Sequence, residues 1–573
     1  MAIRKLISYF SLIQQNAGVD WRGQQGKSAR RRIALAMMGF TVAFGAIGGK
    51  LIFLGFTAKD QTITASIAGM STARPDIVDS TGEVLATDIR ISSLFAEPFR
   101  IPDPEDAVKR IAAAMPDLSL EEVERKLLSQ SRFVWLKRQI TPKQEGEIRA
   151  LGIPGIGFRS EHRRVYPKGD LASHIHGIVN IDNQGLTGLE RYMDSDGLGA
   201  LREMGMSGEG KLEAVKLSIN ANVQNVVLDE LTKAKALYRA IAAAGIVLNA
   251  KTGEVVAMVS LPDFDPNRPV DIADKDRLNR VSAGVYEMGS TFKVFTTAMG
   301  LDSGKVWLDS KFDARSPIRI GGFTIGDFHG KKRVLTTEEV FIYSSNIGTA
   351  KIADAVGTEG HRAYLTKMGL LTKIETELPE VATPTGPKEW KKINSVTISF
   401  GHGVSTTPLQ TAVAAAAVLN GGKLIKPTFF PRSQAEADAI AVQVMHPETS
   451  TAMRYLFRSN VQNGSGKRAD VPGYFVGGKT GTAEKVVHGR YSSDKRFNAF
   501  LSGFPINDPQ YVVLTILDEP KPIEGQAAAT SGLNAAPTAG AIIRRMAPIL
   551  GMQPDFSQDI EALKADIKRP PRG

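Results

Sequence analysis

The sequence predicts an α+β fold, an antiparallel sheet flanked by helices, preceded by a mixed β-rich module and a single N-terminal transmembrane helix. Three observations carry this. Residues 33–56, IALAMMGFTVAFGAIGGKLIFLGF, form one long apolar run whose only charge is Lys50. From about Lys216 onward, an early hairpin pattern, AGIVLNAKTGEVVAMVSLPDFDPN, and late strand patterns, YFVGGKTGTAEK, NAFLSGFP and YVVLTILDEP, bracket a helical middle. Strands at both ends of a segment with helices between them point to one antiparallel sheet with helices packed on it. Residues 57–215 differ in texture, with short apolar stretches broken by Gly, Pro and Asp.

The 573 residues are enough for two or three domains with separate cores. There is no cysteine, which excludes thiolate metal sites, disulfides and cysteine nucleophiles, and suits a protein that works outside the cytoplasm. Of the eight histidines only His174 and His176 lie close together, and no metal site is expected there. Net charge is +11, but the basic residues are spread along the chain without aromatic interleaving, so nucleic acid is not an expected partner.

The basic cluster Arg30-Arg31-Arg32 directly precedes the apolar run. That run is long enough for the ~20 residues a bilayer span requires, and Lys50 is near enough its far end to snorkel. Lys5, Arg22, Lys27 and the arginine triplet outweigh the single acid Asp20, which places residues 1–32 in the cytoplasm and the rest outside. The run exceeds the ~7 to 15 residues of a signal-peptide core and no A-x-A site follows, so an uncleaved anchor is expected. Gly45 and Gly49 form a small-xxx-small pair that could seat a partner helix.

Within residues 57–215, ARPDIVDSTGEVLATDIRISSLFAEPF predicts a hairpin turning at Asp79 to Gly82, and PEDAVKRIAAAMPDL and LEEVERKLLSQ predict helices. No repeat and no catalytic constellation is visible there. Residues 216–550 form the second module. SINANVQNVVLDELTKAKALYRAIAAA, residues 218–244, carries apolar positions at helical spacing, Lys251-Thr252-Gly253 turns a hairpin, and TTPLQTAVAAAAVLNGG predicts a further helix. Residues 551–573 form a tail with no functional signal.

The string GYFVGGKT, residues 473–480, fits the phosphate-binding loop pattern, and VVLTILDE resembles the acid-tipped strand of nucleotide hydrolases. The fit is poor. Tyr474, Phe475 and Val476 are strand residues where such a loop bares its N–H groups, and no helix pattern follows to face phosphates.

Three short motifs occur in order: Ser290-Thr291-Phe292-Lys293, Ser344-Ser345-Asn346 and Lys479-Thr480-Gly481. Singly each is uninformative, but together they are the S-x-x-K, S-x-N, K-T-G set. With RPDIVDSTGEVLA, RRVYPKGDLASHIHGIVNIDNQGLTGLE, NRVSAGVYEMGSTFK, YSSNIGTAK, FGHGVSTTPLQTA and VPGYFVGGKTGTAEK, the chain resembles the class B transpeptidases among penicillin-binding proteins from the anchor nearly to the C-terminus. Among class B members it is most similar to the septal cell-division enzyme of Gram-negative bacteria. Met288 departs from the proline many relatives carry before Gly-Ser.

A serine hydroxyl needs a base to become a nucleophile. Lys293, one turn beyond Ser290, supplies one if burial against Phe292 and Phe295 keeps it neutral. The resemblance implies that Ser344 relays the proton, Asn346 holds the substrate amide, and Ser345 points away. It implies further that Lys479 and Thr480 meet the substrate carboxylate, that Gly481 leaves room for a peptide on the strand edge, and that the N–H groups of Ser290 and Thr482 form the oxyanion hole, worth ~3 to 4 kcal/mol per donor.

The implied reaction is attack of Ser290 on a D-Ala-D-Ala stem peptide of peptidoglycan and transfer of the acyl group to a neighbouring amine, with no cofactor and no metal. The implied setting is the bacterial inner membrane, with a periplasmic catalytic domain, a non-catalytic, dimerisation-like pedestal at residues 57–215, and a polytopic glycan-polymerising partner beside other division proteins. The rivals are an elongation-type transpeptidase, a D,D-carboxypeptidase or β-lactamase, and a penicillin-sensing receptor. A bifunctional class A enzyme would need a glycosyltransferase domain in front.

Overall fold

The computed structural model describes residues 36–41, 44, 45, 48, 50, 73–197, 213–268, 274–487 and 490–570. Of the expected span at residues 33–56, the described positions are helical, and the remainder, with Gly49 and residues 1–32, lies outside the described residues. Among the described residues no helix is long and apolar enough to cross a membrane.

The first sheet is built from β1 (Ile77–Val78), β2 (Val84–Ala96), β3 (Val134–Ile140), β4 (Ile156–Val165) and β5 (Val215–Lys216). The long β2 pairs antiparallel with β1, β3 and β4, and β5 returns parallel to β1. The predicted hairpin turns at Asp79, whose carboxylate accepts the N–H groups of Thr81 and Glu83 at 2.8 Å, and Gly82 supplies the positive φ of +93°. Helices α1 (Pro104–Ala114), α2 (Leu120–Leu127) and α3 (Pro142–Ala150) start at the side-chain caps Asp103, Ser119 and Thr141. Their Val108, Ile111, Val123, Leu127 and Ile148 bury against Leu94, Leu136 and Ile140.

An ionic cluster joins three distant stretches of this region. Glu190 receives Arg74 Nε at 2.7 Å and Arg164 Nε at 2.6 Å, and Arg164 also reaches Asp88 at 3.2 Å. The Arg164 and Glu190 side chains are fully inaccessible to solvent. The next segment docks on the second domain: Asn267 exchanges hydrogen bonds with the Tyr166 backbone at 2.9 Å, and Gln224 donates to the Leu171 carbonyl at 2.8 Å. His174 and His176 lie on a short buried helix, Ser173–His176. His176 stacks on Tyr166, and burial lowers its pKa to about 4.

The second domain carries an antiparallel sheet of β6 (Ala242–Asn249), β7 (Val255–Leu261), β8 (Gly477–Val487), β9 (Arg490–Phe504) and β10 (Tyr511–Asp518), in the order β8-β9-β10-β6-β7. Alternation along the strands divides its two faces. Ala243, Val247, Val513 and Leu517 pack with α4 (Ala221–Leu237) and the helix Ala535–Ile549. Ala244, Ile246, Val512 and Leu514 face α5 (Lys293–Asp302), α6 (Asn346–Val356), α7 (Pro408–Leu419) and α8 (Pro447–Asn463). Every residue of α7 is buried, as its unbroken run of alanines and aliphatics requires of a helix passing through a core.

The helical spacing of residues 218–244 overreaches. The helix ends at Leu237, Arg239 adopts φ +49°, and Ala242–Ala244 open the interior strand β6. Small residues suit that strand because α4 lies close on it: a Cβ on Gly245 would meet Leu231 at 3.0 Å. The tail is docked, with Leu563 in the core, Lys564 over the Tyr455 ring at 5.7 Å and the Arg569 guanidinium over Trp307 at 5.4 Å.

Candidate active site

Ser290 sits in the 3₁₀ turn Gly289–Phe292, which runs straight into α5 at Lys293. The eclipsed i, i+3 geometry of such a turn places Ser290 and Lys293 on one side. The Thr291 hydroxyl folds back on the Met288 carbonyl at 2.8 Å and closes the turn. Phe292 and Phe295 meet edge to face and are fully buried, and α5 is buried from Lys293 to Leu301.

Ser344 occupies the loop between the short helix Thr337–Ile342 and α6. Its φ of +57° is a left-handed conformation that costs a serine ~1–3 kcal/mol. That conformation delivers the hydroxyl to two amines: Lys293 Nζ lies 3.1 Å and Lys479 Nζ 2.9 Å from Ser344 Oγ, and Lys293 also donates to the Ser344 carbonyl. Thus one residue from each of the three motifs joins a single hydrogen-bonded group.

Both lysines are buried, and among the described residues neither has a carboxylate at salt-bridge distance. Burial first, and then the neighbouring Lys479 charge, pull Lys293 well below the ordinary lysine range against the weaker pull of Asp327. Burial pushes Lys479 down to about 7. A pair of unpaired buried ammonium groups is too costly to keep, so the fold favours a neutral amine beside Ser344. The sign for stability follows. Between pH 7 and 10.5 the unfolded chain holds a proton on Lys479 that the folded chain lacks, so stability rises with pH across that window. Lys293, lowered as well, adds a rise of the same sign, so denaturation midpoints of Lys479→Met should show a shallower rise, by at most about 1.4 kcal/mol per pH unit.

Ser345 is turned away from the amines. Its hydroxyl donates to Asp327 Oδ2 at 2.7 Å and accepts the Gly348 N–H at 3.0 Å, capping α6. Asp327 Oδ1 takes the Ile347 N–H at 3.0 Å, so this aspartate, unremarked in the sequence, pins the Ser-x-Asn loop. Asn346 donates its side-chain amide to the Gly326 carbonyl at 3.0 Å, and among the described residues it bonds neither Ser344 nor the lysines.

Lys479, Thr480, Gly481 and Thr482 lie on β8, the sheet's edge strand, with Lys479 opposite Leu501 and Gly481 opposite Ala499. They stand inside a strand, not at a helix N-terminus, which removes the phosphate-loop reading. The Thr480 and Ser465 hydroxyls are 2.6 Å apart, and Asn460 holds both Ser465 and the Gly478 carbonyl. Thr482 Oγ1 accepts the Ser531 N–H at 3.1 Å. Ser465, Asn460 and Ser531 are remote in sequence and carry no motif, so only folding reveals them.

Gly481 has a packing role: a Cβ there would meet the Met288 carbonyl at 2.7 Å and Thr291 at the same distance, so its bare backbone seats the Ser290 turn against the strand. Gly401 of FGHGV backs the same turn, where a Cβ would fall 2.0 Å from the Gly289 carbonyl.

Residues 243–544 match the penicillin binding protein transpeptidase domain, and residues 70–214 the penicillin-binding protein dimerisation domain. The chain belongs to the class B penicillin-binding proteins. It is 39% identical to the probable peptidoglycan D,D-transpeptidase FtsI of Caulobacter vibrioides, across 85% of this chain and 82% of that protein. Its identity to the peptidoglycan D,D-transpeptidase FtsI of Escherichia coli is 27%, across 91% and 92%. Among solved structures it is similar to penicillin binding protein 3 of Mycobacterium tuberculosis in complex with aztreonam, with TM-score 0.64, 25% identity, and coverage of 85% of this chain and 98% of that one. For a penicillin-binding protein with this packing, Gly481→Ala should slow acylation by penicillin about 10²-fold, because a displacement of ~1 Å at the nucleophile is that costly. Stopped-flow acylation checks it.

Proposed function

We propose that this penicillin-binding protein is a peptidoglycan D,D-transpeptidase of the division septum, with Ser290 as nucleophile. The observation that carries the reading is the junction of Lys293, Ser344 and Lys479 around one hydroxyl, beside the Ser290 turn. A neutral Lys293 takes the Ser290 proton as the hydroxyl attacks the carbonyl of the penultimate D-alanine. Ser344, in contact with both amines, passes a proton to the departing D-alanine. The acyl group stays on Ser290 until an amine from a second stem peptide displaces it.

Lys479 and Thr480 receive the terminal carboxylate, the N–H groups of Ser290 and Thr482 receive the oxyanion, and Asn346 turns from Gly326 to the substrate amide. The edge position of β8 supports a peptide adding alongside it as a further strand. Residues 33–56 and their basic flank support a single-pass inner-membrane anchor with a periplasmic catalytic domain. A polytopic glycan polymerase is the partner that would supply nascent strands. The septal assignment rests on the FtsI relatives.

The test is incubation of the full-length chain with a pentapeptide stem and an acceptor amine, reading D-alanine and cross-linked dimer. Wild type should give both and Ser290→Ala neither. D-alanine with no dimer at any acceptor concentration would make the protein a carboxypeptidase.

A further inference from the structure

The residues just ahead of the nucleophile turn hold a second polar centre that the chemistry above leaves unused. Glu287 lies three positions before Ser290. Its Oε1 accepts the Gly403 N–H at 2.8 Å and the Tyr491 hydroxyl at 3.3 Å, and its Oε2 pairs with His402 Nδ1 at 3.0 Å. The His402 ring stands edge-on to Tyr491 at 5.2 Å and to Phe400 at 5.6 Å.

These partners come from separate pieces of chain. Tyr491 belongs to β9, opposite Val486 of β8, beyond the bulge between Glu484 and Lys485. His402 and Gly403 follow Gly401, which presses on Gly289. Gly289 in turn abuts the Thr482 carbonyl, with a virtual Cβ 3.0 Å away. The carboxylate therefore fastens the Ser290 turn to its backing loop and to the β8–β9 hairpin, the two walls between which an acyl carbonyl must sit. Burial and the Glu287 charge push the Tyr491 phenol up to about 12, so it remains an O–H donor at working pH.

We infer that Glu287 is a positioning residue, a latch that sets the spacing between the Ser290 turn and the β8–β9 hairpin through Gly403, His402 and Tyr491. The inference rests on Ser290 being the nucleophile. It concerns the acylation step and not initial binding, because none of the latch residues is among those that meet the substrate.

The experiment measures penicillin acylation of the full-length chain by stopped flow, separating the noncovalent dissociation constant from the acylation rate constant. The variants are Glu287→Gln, Tyr491→Phe and their double, with melting temperature recorded for each. Glu287→Gln should lower the rate constant about 10-fold or more, Tyr491→Phe by less, and dissociation constants should stay within about 2-fold. The double variant should be no slower than Glu287→Gln, because the two groups act through one contact.

Tyr491 is half exposed and its loss leaves the core intact, so this variant remains informative if Glu287→Gln folds poorly. Wild-type rate constants in Tyr491→Phe with an unchanged melting temperature would overturn the latch, as would a double variant slowed by the product of the single effects. A wild type that takes no label overturns the Ser290 reading and the latch with it. Labelling of wild type but not Ser290→Ala keeps that reading, whatever the latch variants do.

Discussion

Replacing Lys293 with alanine should slow acylation of Ser290 by about 10² to 10⁴-fold, the span a positioned general base contributes, while leaving the fold intact. The amine is the basic group one turn from Ser290, and its burial lowers the cost of keeping it neutral. Stability should not suffer from its loss. Lys293 is buried and pairs with no carboxylate at salt-bridge distance among the described residues, so removing it strands no buried countercharge. The Ser344 hydroxyl keeps its bond to Lys479. Thermal melting and penicillin acylation, measured on the same sample, check the two halves. Wild-type acylation in Lys293→Ala would move the base elsewhere, with Lys479 the next candidate at about 7.

Glu190→Ala should destabilise the protein by about 3–5 kcal/mol, the range for stripping one partner from a buried ion pair. Glu190 pairs with the guanidinium groups of both Arg74 and Arg164, and its side chain has no solvent exposure. Its loss leaves Arg164 buried with Asp88 alone at 3.2 Å. Arg164→Met tests the same cluster from the other side, since it removes the buried cation together with its desolvation cost and should be milder. Denaturant midpoints of the two variants read the difference, and equal, small losses would mean that water reaches the cluster.

The chemistry of the site was legible because its motifs are local. Short spacings, i to i+3 for Ser290 and Lys293 and i to i+2 for Ser344 and Asn346, keep each motif within one turn or loop of the chain. What supports those residues was not legible, because it is assembled across the chain. Asp327 reaches the Ser-x-Asn loop from 18 positions before Ser345, and Ser465 reaches Thr480 from another segment.

The RPDIVD, RRVYP and GLTGLE segments could be quoted as family marks, but their meeting at Glu190 is a tertiary fact. Helical periodicity failed at Ala242–Ala244, since alanine suits a helix and a tightly covered strand alike, and packing decided between them. Hydropathy and charge alone speak for the anchor, whose residues lie mostly outside those described.

Peptide mapping of the full-length chain after reaction with a penicillin, by mass spectrometry, tests the central claim most directly. One adduct on the peptide containing Ser290, absent in Ser290→Ala and strongly slowed in Lys293→Ala, is the predicted result. An adduct on Ser344 or on another residue, with Ser290 unmodified, would contradict it.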